Sequence, residues 1–369
     1  MRADRYTRHG FTLATTAALL TMTAYASASA APASLGRPTG AAAPAATPGW
    51  RVVKTIGPAK GSVYGLLTAS SATDAWSIWT ARRLTAVERW TGKAWQRVPL
   101  PAKLDGYVNS AVDRGLISAS SAGNAWLFDG SGRALRWTGA KWLVQALPSW
   151  MSSPTGAAAF SPGDVWVFGT ADYAARYNGR AWAKVKLPEP AADVSAAGPD
   201  DIWALGPSLG FVMHWNGKTW GTVALPAPPP LPTGATLYYS YMTAVGPQNA
   251  LLVRSISFSS TPVPDTVMMH WTGKAWRTVA SSPVDVLGSL VPDGHGGLWV
   301  AGTDLNFSGF WLVYHLTGGH WTDYGSLPGV IPQSGASLTW IPGTRSLWAI
   351  SLSPASPSGY YGAILKYGP

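Results

Sequence analysis

Short apolar segments bounded by turn residues recur along the chain from residue 50 to its end. One recurring element is a turn that places Asp or Asn two positions before an apolar residue, as in Asp74 before Trp76. A second element is an aromatic residue, then Thr or Asn, then Gly, with a Trp five positions after the aromatic, as in WTGKAW (90–95). Apolar runs joined by such turns predict antiparallel strands and hairpins.

The two elements alternate along the chain and together predict a repeat fold. The apolar position of the first element occurs seven times, at Trp76, Trp126, Trp166, Trp203, Leu251, Trp299 and Trp348, with separations of 50, 40, 37, 48, 48 and 49 residues. The second element occurs six times, at 90–95, 137–142, 177–182, 215–220, 271–276 and 316–321. Such spacing suits one four-stranded β-propeller blade per copy, with strands a, b, c and d in chain order.

The last copy ends at 365–368, which supplies a strand c and then runs out of chain. Residues 50–53 (WRVV) match the strand-d pattern of 95–98 (WQRV). We therefore predict an all-β fold: a seven-bladed propeller of four-stranded antiparallel blades, closed by the N-terminal strand completing the C-terminal blade. Closure removes an unpaired edge, so deleting 50–53 should destabilise the whole ring. The repeat Trp side chains are expected to pack between blades.

The N-terminal region predicts export. Residues 1–30 combine a basic start, an uncharged apolar stretch over 11–26 and the small residues Ala28-Ser29-Ala30, which indicates a cleaved signal peptide. The alternative is a membrane anchor, which needs about 18 strongly apolar residues, whereas this stretch is short and contains threonines. Residues 31–49 predict a disordered Ala/Pro-rich tail, and 50–369 a single propeller domain. We expect a secreted monomer with no transmembrane anchor.

Composition narrows the chemistry. The chain has no Cys, so disulfides, thiolate ligands and cysteine nucleophiles are excluded. Its net charge of +10 falls to +8 after the signal, because residues 1–30 carry three arginines and one aspartate. This charge either attracts the protein to anionic envelope polymers or serves solubility alone. Nucleic acid is not an expected partner, because the basic residues are scattered and no reader motif is present.

The W-[TN]-G-x-x-W element followed by Val and Pro, as in Trp220, Val223 and Pro226, resembles kelch-type propellers, including the central domain of galactose oxidase. The chain looks most similar to secreted propellers of high-GC Gram-positive bacteria, over residues 50–369. It departs from the kelch pattern, since only Gly296-Gly297 resembles the usual glycine pair. The resemblance implies the fold. The copper and Cys-modified Tyr chemistry of galactose oxidase cannot occur in a chain without Cys.

No catalytic motif is assembled in the sequence, and no metal or cofactor is expected. His214, His270 and His315 occupy one repeat position on separate blades, which favours a structural role over metal ligation. The Asx residues of the first element are interpreted as turn residues whose side chains accept backbone N–H groups. They are Asp74, Asn124, Asp164, Asp201 and Asn249.

The variable connections between strands b and c and between d and a share one face, where a binding site is expected. Aromatic and basic residues outside the repeat positions make stacking on sugars or gripping a peptide plausible there, with Arg254 nearby. The alternative is that these aromatics pack the loops onto the ring. The candidates are Arg82, Arg83, Trp150, Tyr238, Tyr239, Tyr241, Phe258, Phe307, Phe310, Tyr360 and Tyr361.

Two function classes follow. The first is an exported non-catalytic binding or scaffolding propeller that recognises a glycan, a cell-wall polymer or a protein through its variable face. The second is an extracytoplasmic lyase or hydrolase with a dispersed site at the central channel. The lack of an assembled motif favours the first class, although a fold of this kind hosts both.

Overall fold

The computed structural model describes residues 49–59, 63–81, 84–101, 116–128, 132–151, 153–228, 230–231, 233–246, 249–258, 265–281, 284–285, 289–304, 311–327, 336–356 and 359–369. These residues form strands and turns and contain no helix, hence none that is long and apolar enough to cross a membrane. The predicted signal peptide and nearly all of the predicted tail lie outside the described residues.

The first four blades are antiparallel sheets of four consecutive strands. Blade 1 contains β2 (Val63–Ser71), β3 (Asp74–Ala81), β4 (Leu84–Trp90) and β5 (Trp95–Val98); blade 2 contains β6 (Leu116–Ser121), β7 (Asn124–Phe128), β8 (Arg133–Trp137) and β9 (Trp142–Ala146). Blade 3 contains β10 (Pro154–Ser161), β11 (Asp164–Gly169), β12 (Tyr173–Tyr177) and β13 (Trp182–Lys186); blade 4 contains β14 (Asp193–Gly198), β15 (Asp201–Leu205), β16 (Phe211–Trp215) and β17 (Trp220–Ala224).

The remaining three blades follow the same plan with two variations. Blade 5 contains β18 (Ala235–Gly246), β19 (Asn249–Phe258), β20 (Asp265–Trp271) and β21 (Trp276–Ser281). In blade 6 the first strand is split into β22 (Val284–Asp285) and β23 (Leu290–Pro292), both paired with β24 (Leu298–Asp304), which is followed by β25 (Trp311–Thr317) and β26 (His320–Ser326). Blade 7 contains β27 (Ala336–Trp340), β28 (Leu347–Ser356), β29 (Gly359–Tyr367) and β1 (Trp50–Ala59).

The inner strands close the ring. Each blade's first strand contacts the first strand of the next blade, in the circle β2, β6, β10, β14, β18, β23, β27 and back to β2. Polar side chains link these strands: three serines accept backbone N–H groups of the following blade, at 2.8–3.0 Å. The pairs are Ser118 with Ala159, Ser195 with Ala244, and Ser289 with Leu338. The predicted seven-bladed propeller is confirmed.

The predicted closure is also confirmed. The N-terminal strand β1 pairs antiparallel with the C-terminal strand β29, with Trp50 opposite Tyr367 and Val52 opposite Leu365. Trp50 is buried in the core cluster shared by blades 6 and 7. The first and last described strands are thus held in one sheet, and each of the seven described blades has an outer strand.

Aromatic side chains form the core between blades, as predicted. The strand-b Trp of one blade is fully buried against the strand-c and strand-d aromatics of the next: Trp76 of blade 1 lies 5.5 Å from Trp137 and 5.6 Å from Trp142 of blade 2. Edge-to-face geometry of this kind adds attraction beyond area burial. Trp126, Trp166, Trp203 and Trp348 make the same contacts with the following blade. Between blades 5 and 6 the position is Leu251, in a cluster that includes Leu316.

Candidate functional site

Alternating strand directions give the ring two different faces. The a–b turns and c–d hairpins meet on one face, which we call the hairpin face; there the Trp137 indole N–H donates to the Ala122 carbonyl at 3.2 Å. The b–c and d–a connections meet on the other, which we call the loop face; there the Leu147 N–H donates to the Gly132 carbonyl at 3.1 Å. This division matches the one predicted from the repeats.

The structure places the predicted binding residues unevenly. Arg82, Arg83, Phe307 and Phe310 lie outside the described residues. Tyr238, Tyr239 and Tyr241 lie on β18, Phe258 ends β19, and Tyr360 and Tyr361 lie on β29, so their predicted placement in loops is wrong. The strands of blades 5 and 7 are longer than the repeat pattern indicates. Tyr241 packs against the core cluster between blades 5 and 6, as expected of a structural aromatic.

Trp150 lies on the loop face, where two residues that the sequence did not single out join it. Its ring packs edge to face on Tyr173, with centroids 5.4 Å apart, and its carbonyl accepts the Tyr173 hydroxyl at 2.6 Å. The Lys184 ammonium lies 3.8 Å from the Tyr173 ring centroid and 5.5 Å from the Trp150 centroid. We call Trp150, Tyr173 and Lys184 the aromatic platform.

The loop that carries Trp150 is held in place by short-range contacts. Met151 is 2% exposed, and its N–H donates to Pro148 at 2.8 Å to close a turn under Trp150. Leu147 is buried at the start of the same loop. Trp150 itself is half-buried against the core between blades 2 and 3. The buried part of the Trp150 ring fixes the position of the exposed part, so this surface is preformed.

The surroundings of the platform are positively charged. Lys186, on the same strand as Lys184, forms an exposed ion pair with Asp172 of the adjacent b–c connection. The hydrogen bond from Lys186, partly opposed by desolvation, lowers the pKa of Asp172. Two lysines thus face one carboxylate that remains ionised at neutral pH, which leaves a net positive charge.

An open groove of about 540 Å³ lies between blades 3 and 4. Two lysines, Lys186 and Lys218, are among its lining residues, and the ammonium group of Lys186 is paired with Asp172. The other lining residues are Val185, Leu187, Pro188, Trp215, Thr219 and Trp220.

The Asx residues of the repeat lie on the hairpin face, and their predicted backbone partners are wrong. Their side chains instead hold the strand-c residue that precedes the aromatic position. Asp164 accepts two bonds from Arg176, at 2.9 and 3.1 Å, and Asp201 accepts His214 Nε2 at 2.7 Å. The same arrangement joins Asp74 to Arg89 and Asn249 to His270, whereas Asn124 bonds Ser120 and the Trp126 indole.

The Arg and His side chains held in this way lie over the buried Trp of strand b. Arg176 lies 5.0 Å from the Trp166 ring, and His214 stacks on Trp203 at 4.1 Å. In blade 6 the residue two positions before Trp299 is Gly297, not Asp or Asn. Asp293, in the a–b turn of this blade, takes over the role and accepts a hydrogen bond from His315 Nε2 at 2.9 Å. The predicted structural role of His214, His270 and His315 is supported by these contacts.

One carboxyl group lies at the loop-face end of an inner strand. Asp193 begins β14, and its two oxygens accept the N–H groups of Val194 at 3.0 Å and Met242 at 2.8 Å. Burial raises its pKa despite these two bonds. The bond to Met242 joins blade 4 to blade 5, so this side chain has a structural role. Among the described residues, no group of three His, Asp or Glu is arranged to hold a metal ion.

Neither family models nor curated protein sequences match this chain. Solved structures do resemble it. YCF48 bound to the D1 peptide matches with a TM-score of 0.57 and 14% identity, covering 87% of this chain and 97% of that one. YCF48 from Cyanidioschyzon merolae matches at 0.54 and 14%, covering 87% and 99%. An ulvan lyase of polysaccharide lyase family PL25, bound to -[GlcA(1-4)Rha3S]-, matches at 0.53 and 10%, covering 84% and 95%. At these identities the likeness shows the propeller fold alone.

Proposed function

We propose that this protein is an exported recognition propeller. It binds an anionic glycan on its loop face, at the aromatic platform, and does not cleave it. The observation that carries the proposal is the position of the Lys184 ammonium within 5.5 Å of both platform rings. Aromatic rings stack on the apolar faces of sugars, and an ammonium group beside them pairs with a carboxylate or sulfate. A ligand that carries both features can use both kinds of contact at once.

The charge of the whole chain supports an anionic ligand. The net charge is +10 for the full sequence and +8 without the predicted signal peptide, and either value creates a positive field that concentrates acidic polymers near the surface. Two structural neighbours of the same fold are described as holding a peptide and a polysaccharide repeat that contains glucuronate and sulfated rhamnose. The second of these ligands has the chemistry that the platform suits.

A protein ligand is the second candidate. The lining of the groove between blades 3 and 4 includes the apolar residues Leu187 and Pro188 and the basic residues Lys186 and Lys218. An extended peptide with apolar and acidic residues would match such a surface. The neighbour that holds a peptide supports this candidate in the same way as the lyase supports a glycan.

The alternative of a lyase or hydrolase receives less support from the described residues. All five histidines after residue 48 lie at turns or strand ends of the hairpin face, away from the platform. The Tyr173 hydroxyl already donates to the Trp150 carbonyl. The Asp193 carboxyl is occupied by two backbone N–H groups. Each of these groups thus has a structural partner or a distant location.

The experiment is a binding survey of the purified chain on immobilised polymers. The panel compares uronate-containing and sulfated polysaccharides with neutral glucans and mannans. Saturable binding to the acidic polymers, weakened by salt, is the expected result. Equal binding to neutral polymers would remove the role assigned to Lys184, and new reducing ends or unsaturated products would support the enzyme instead.

A further inference from the structure

The strand-c residue before the aromatic position is basic in all seven blades, but its partner at the start of strand b differs. In two blades an arginine bonds to an aspartate at 2.9–3.1 Å, in the pairs Arg89 with Asp74 (blade 1) and Arg176 with Asp164 (blade 3). In blade 2 the arginine is Arg136, and the neutral Asn124 stands at the aspartate position. Blade 2 therefore has the positive charge of this pair without the negative one.

Asn124 is fully buried, and its side chain is occupied by other partners. Its Nδ2 donates to Ser120 Oγ at 2.8 Å, and its Oδ1 accepts the Trp126 indole N–H at 3.1 Å. Both ends of the amide are thus held in place, and neither accepts a hydrogen bond from Arg136.

The Arg136 guanidinium lies over the buried Trp126 ring, 5.8 Å from its centroid. Its Nε is buried and has no hydrogen-bond acceptor in the described part of the chain. A charged donor that is buried without an acceptor is unfavourable, and nearly all such groups in proteins have a partner. The arrangement therefore holds a permanent positive charge in a fixed position with no described counter-charge.

The charges around Arg136 on the hairpin face are also mostly positive. The c–d hairpins of blades 2 and 3 carry Lys141 and Arg180, which are both exposed. Within the a–b turns and c–d hairpins of these two blades the sequence has one carboxylate, Asp164, and that group is paired within blade 3. The turn before Asn124 is open, because a Cβ at Gly123 would meet no described atom within 4 Å.

We propose that the hairpin face of blade 2 binds a carboxylate-bearing ligand, and that Arg136 pairs with the carboxylate. A planar guanidinium matches a carboxylate in two parallel hydrogen bonds, and blade 3 shows this pairing between Arg176 and Asp164 at the same repeat position. Because Arg136 is half-buried, the ligand reaches it from the solvent side. Lys141 and Arg180 favour a ligand with more than one carboxylate.

NMR spectroscopy of the arginine Nε–H groups tests this inference while acetate replaces chloride at constant ionic strength. The Arg136 resonance, assigned by its loss in Arg136→Lys, should shift and saturate. The resonances of Arg89 and Arg176 should not shift, because a carboxylate already occupies each of them. Tricarballylate and a triglutamate peptide, compared at equal carboxylate concentration, then distinguish a small polycarboxylate from acidic side chains of a protein as the source, since the true source should bind more tightly.

Two matched substitutions move the vacancy from one blade to another. Asn124→Asp supplies an internal carboxylate and should weaken acetate binding at Arg136 at least about fivefold, because the two carboxylates compete for one guanidinium. Asp164→Asn removes the carboxylate of blade 3 and should make Arg176 respond to acetate. Circular dichroism of both variants checks that the fold is retained.

Three results would overturn the proposal: no shift of Arg136 with any of the three carboxylates, equal shifts of all three arginines in the wild type, or an undiminished response of Arg136 in Asn124→Asp. The inference does not rest on the proposed glycan binding. None of the probes contains a sugar, and the aromatic platform lies on the loop face.

Discussion

Trp50 and Tyr367 lie opposite each other where β1 pairs with β29, and their ring centroids are 5.4 Å apart. One residue belongs to the first described strand and the other to the last. Tyr367 also lies 4.8 Å from Trp299 of blade 6, and Trp50 belongs to the same buried cluster. The contact between the first and the last described strand is therefore continuous with the packing between blades 6 and 7.

Trp50→Ala should destabilise the entire ring. Trp50 is 3% exposed, and loss of a buried Trp costs about 3–5 kcal/mol of unfolding free energy. Urea unfolding followed by circular dichroism measures this change. Val52→Ala, on the same strand but 45% exposed, is the matched control and should cost below about 1 kcal/mol. Equal losses in the two variants would mean that closure does not depend on the Trp50 contact.

Asp293→Asn should remove a pH-dependent part of the stability. Burial alone would raise the pKa of Asp293, but hydrogen bonds from His295, His315 and Gly297 outweigh it and lower the pKa below its ordinary 3.8. A carboxyl whose pKa is lower in the folded than in the unfolded protein stabilises the fold at pH values above its unfolded-state pKa. This contribution is lost as the pH falls through the folded-state pKa. At pH 7 the variant should lose about 1.5–3 kcal/mol, the range for bonds to a charged group.

Denaturant unfolding at pH 7 and at several values below 3.8 checks this prediction. The difference between wild type and Asp293→Asn should shrink as the wild-type carboxyl becomes protonated. A difference that stays constant over that range would show that the charge of Asp293 does not contribute to the stability.

Asn249→Asp should raise the pKa of His270. In the wild type, burial lowers this pKa, and the His270 Nε2 hydrogen bond of 2.6 Å is accepted by Oδ1 of the neutral Asn249 amide. A carboxylate at the same place should raise the pKa by about 1 unit or more. In the wild type the lowered pKa makes the fold less stable as the pH falls through 6.5. If the His270 pKa in the variant lies above 6.5, the charged ring adds stability at pH values below 6.5. This added stability is lost as the pH rises through the folded-state pKa.

Proton NMR titration of the histidine ring resonances measures this shift directly. His214, whose ring nitrogen contacts Asp201 in blade 4, is the internal reference, and its resonances should be the same in the wild type and the variant. No movement of the His270 resonance in Asn249→Asp would contradict the assigned contact.

The sequence predicts the ring well because its signals are local and repeated. The Trp spacing from Trp76 to Trp348 gives seven blades, and the match of 50–53 to 95–98 gives the closure. One repeated signal was missed: the residue before the aromatic position is basic in every copy, from Arg89 through His315 to Lys366. The structure shows the reason, since this side chain lies over the buried Trp in blades such as blade 3, where Arg176 lies over Trp166.

The candidate site could be predicted only in part. Trp150 stood out because it interrupts a turn-rich connection outside the repeat. Tyr173 and Lys184 did not, because they lie on strands of the following blade, and only the packing of blade 3 on blade 2 brings them to Trp150. Tyr238 and Tyr239 follow the Pro-rich residues 226–232, which predicts a loop. In the structure both residues pair with β19, because β18 begins before them.

The central claim is that the aromatic platform binds an acidic glycan, and calorimetric titration with a uronate oligosaccharide tests it most directly. The comparison is between Lys184→Gln and Lys93→Gln, a matched change in a hairpin of the opposite face. We predict that Lys184→Gln weakens binding at least about fivefold, corresponding to the loss of about 1 kcal/mol, while Lys93→Gln binds like the wild type. Equal affinities for all three proteins, or no binding by the wild type to any acidic polymer, would contradict the claim.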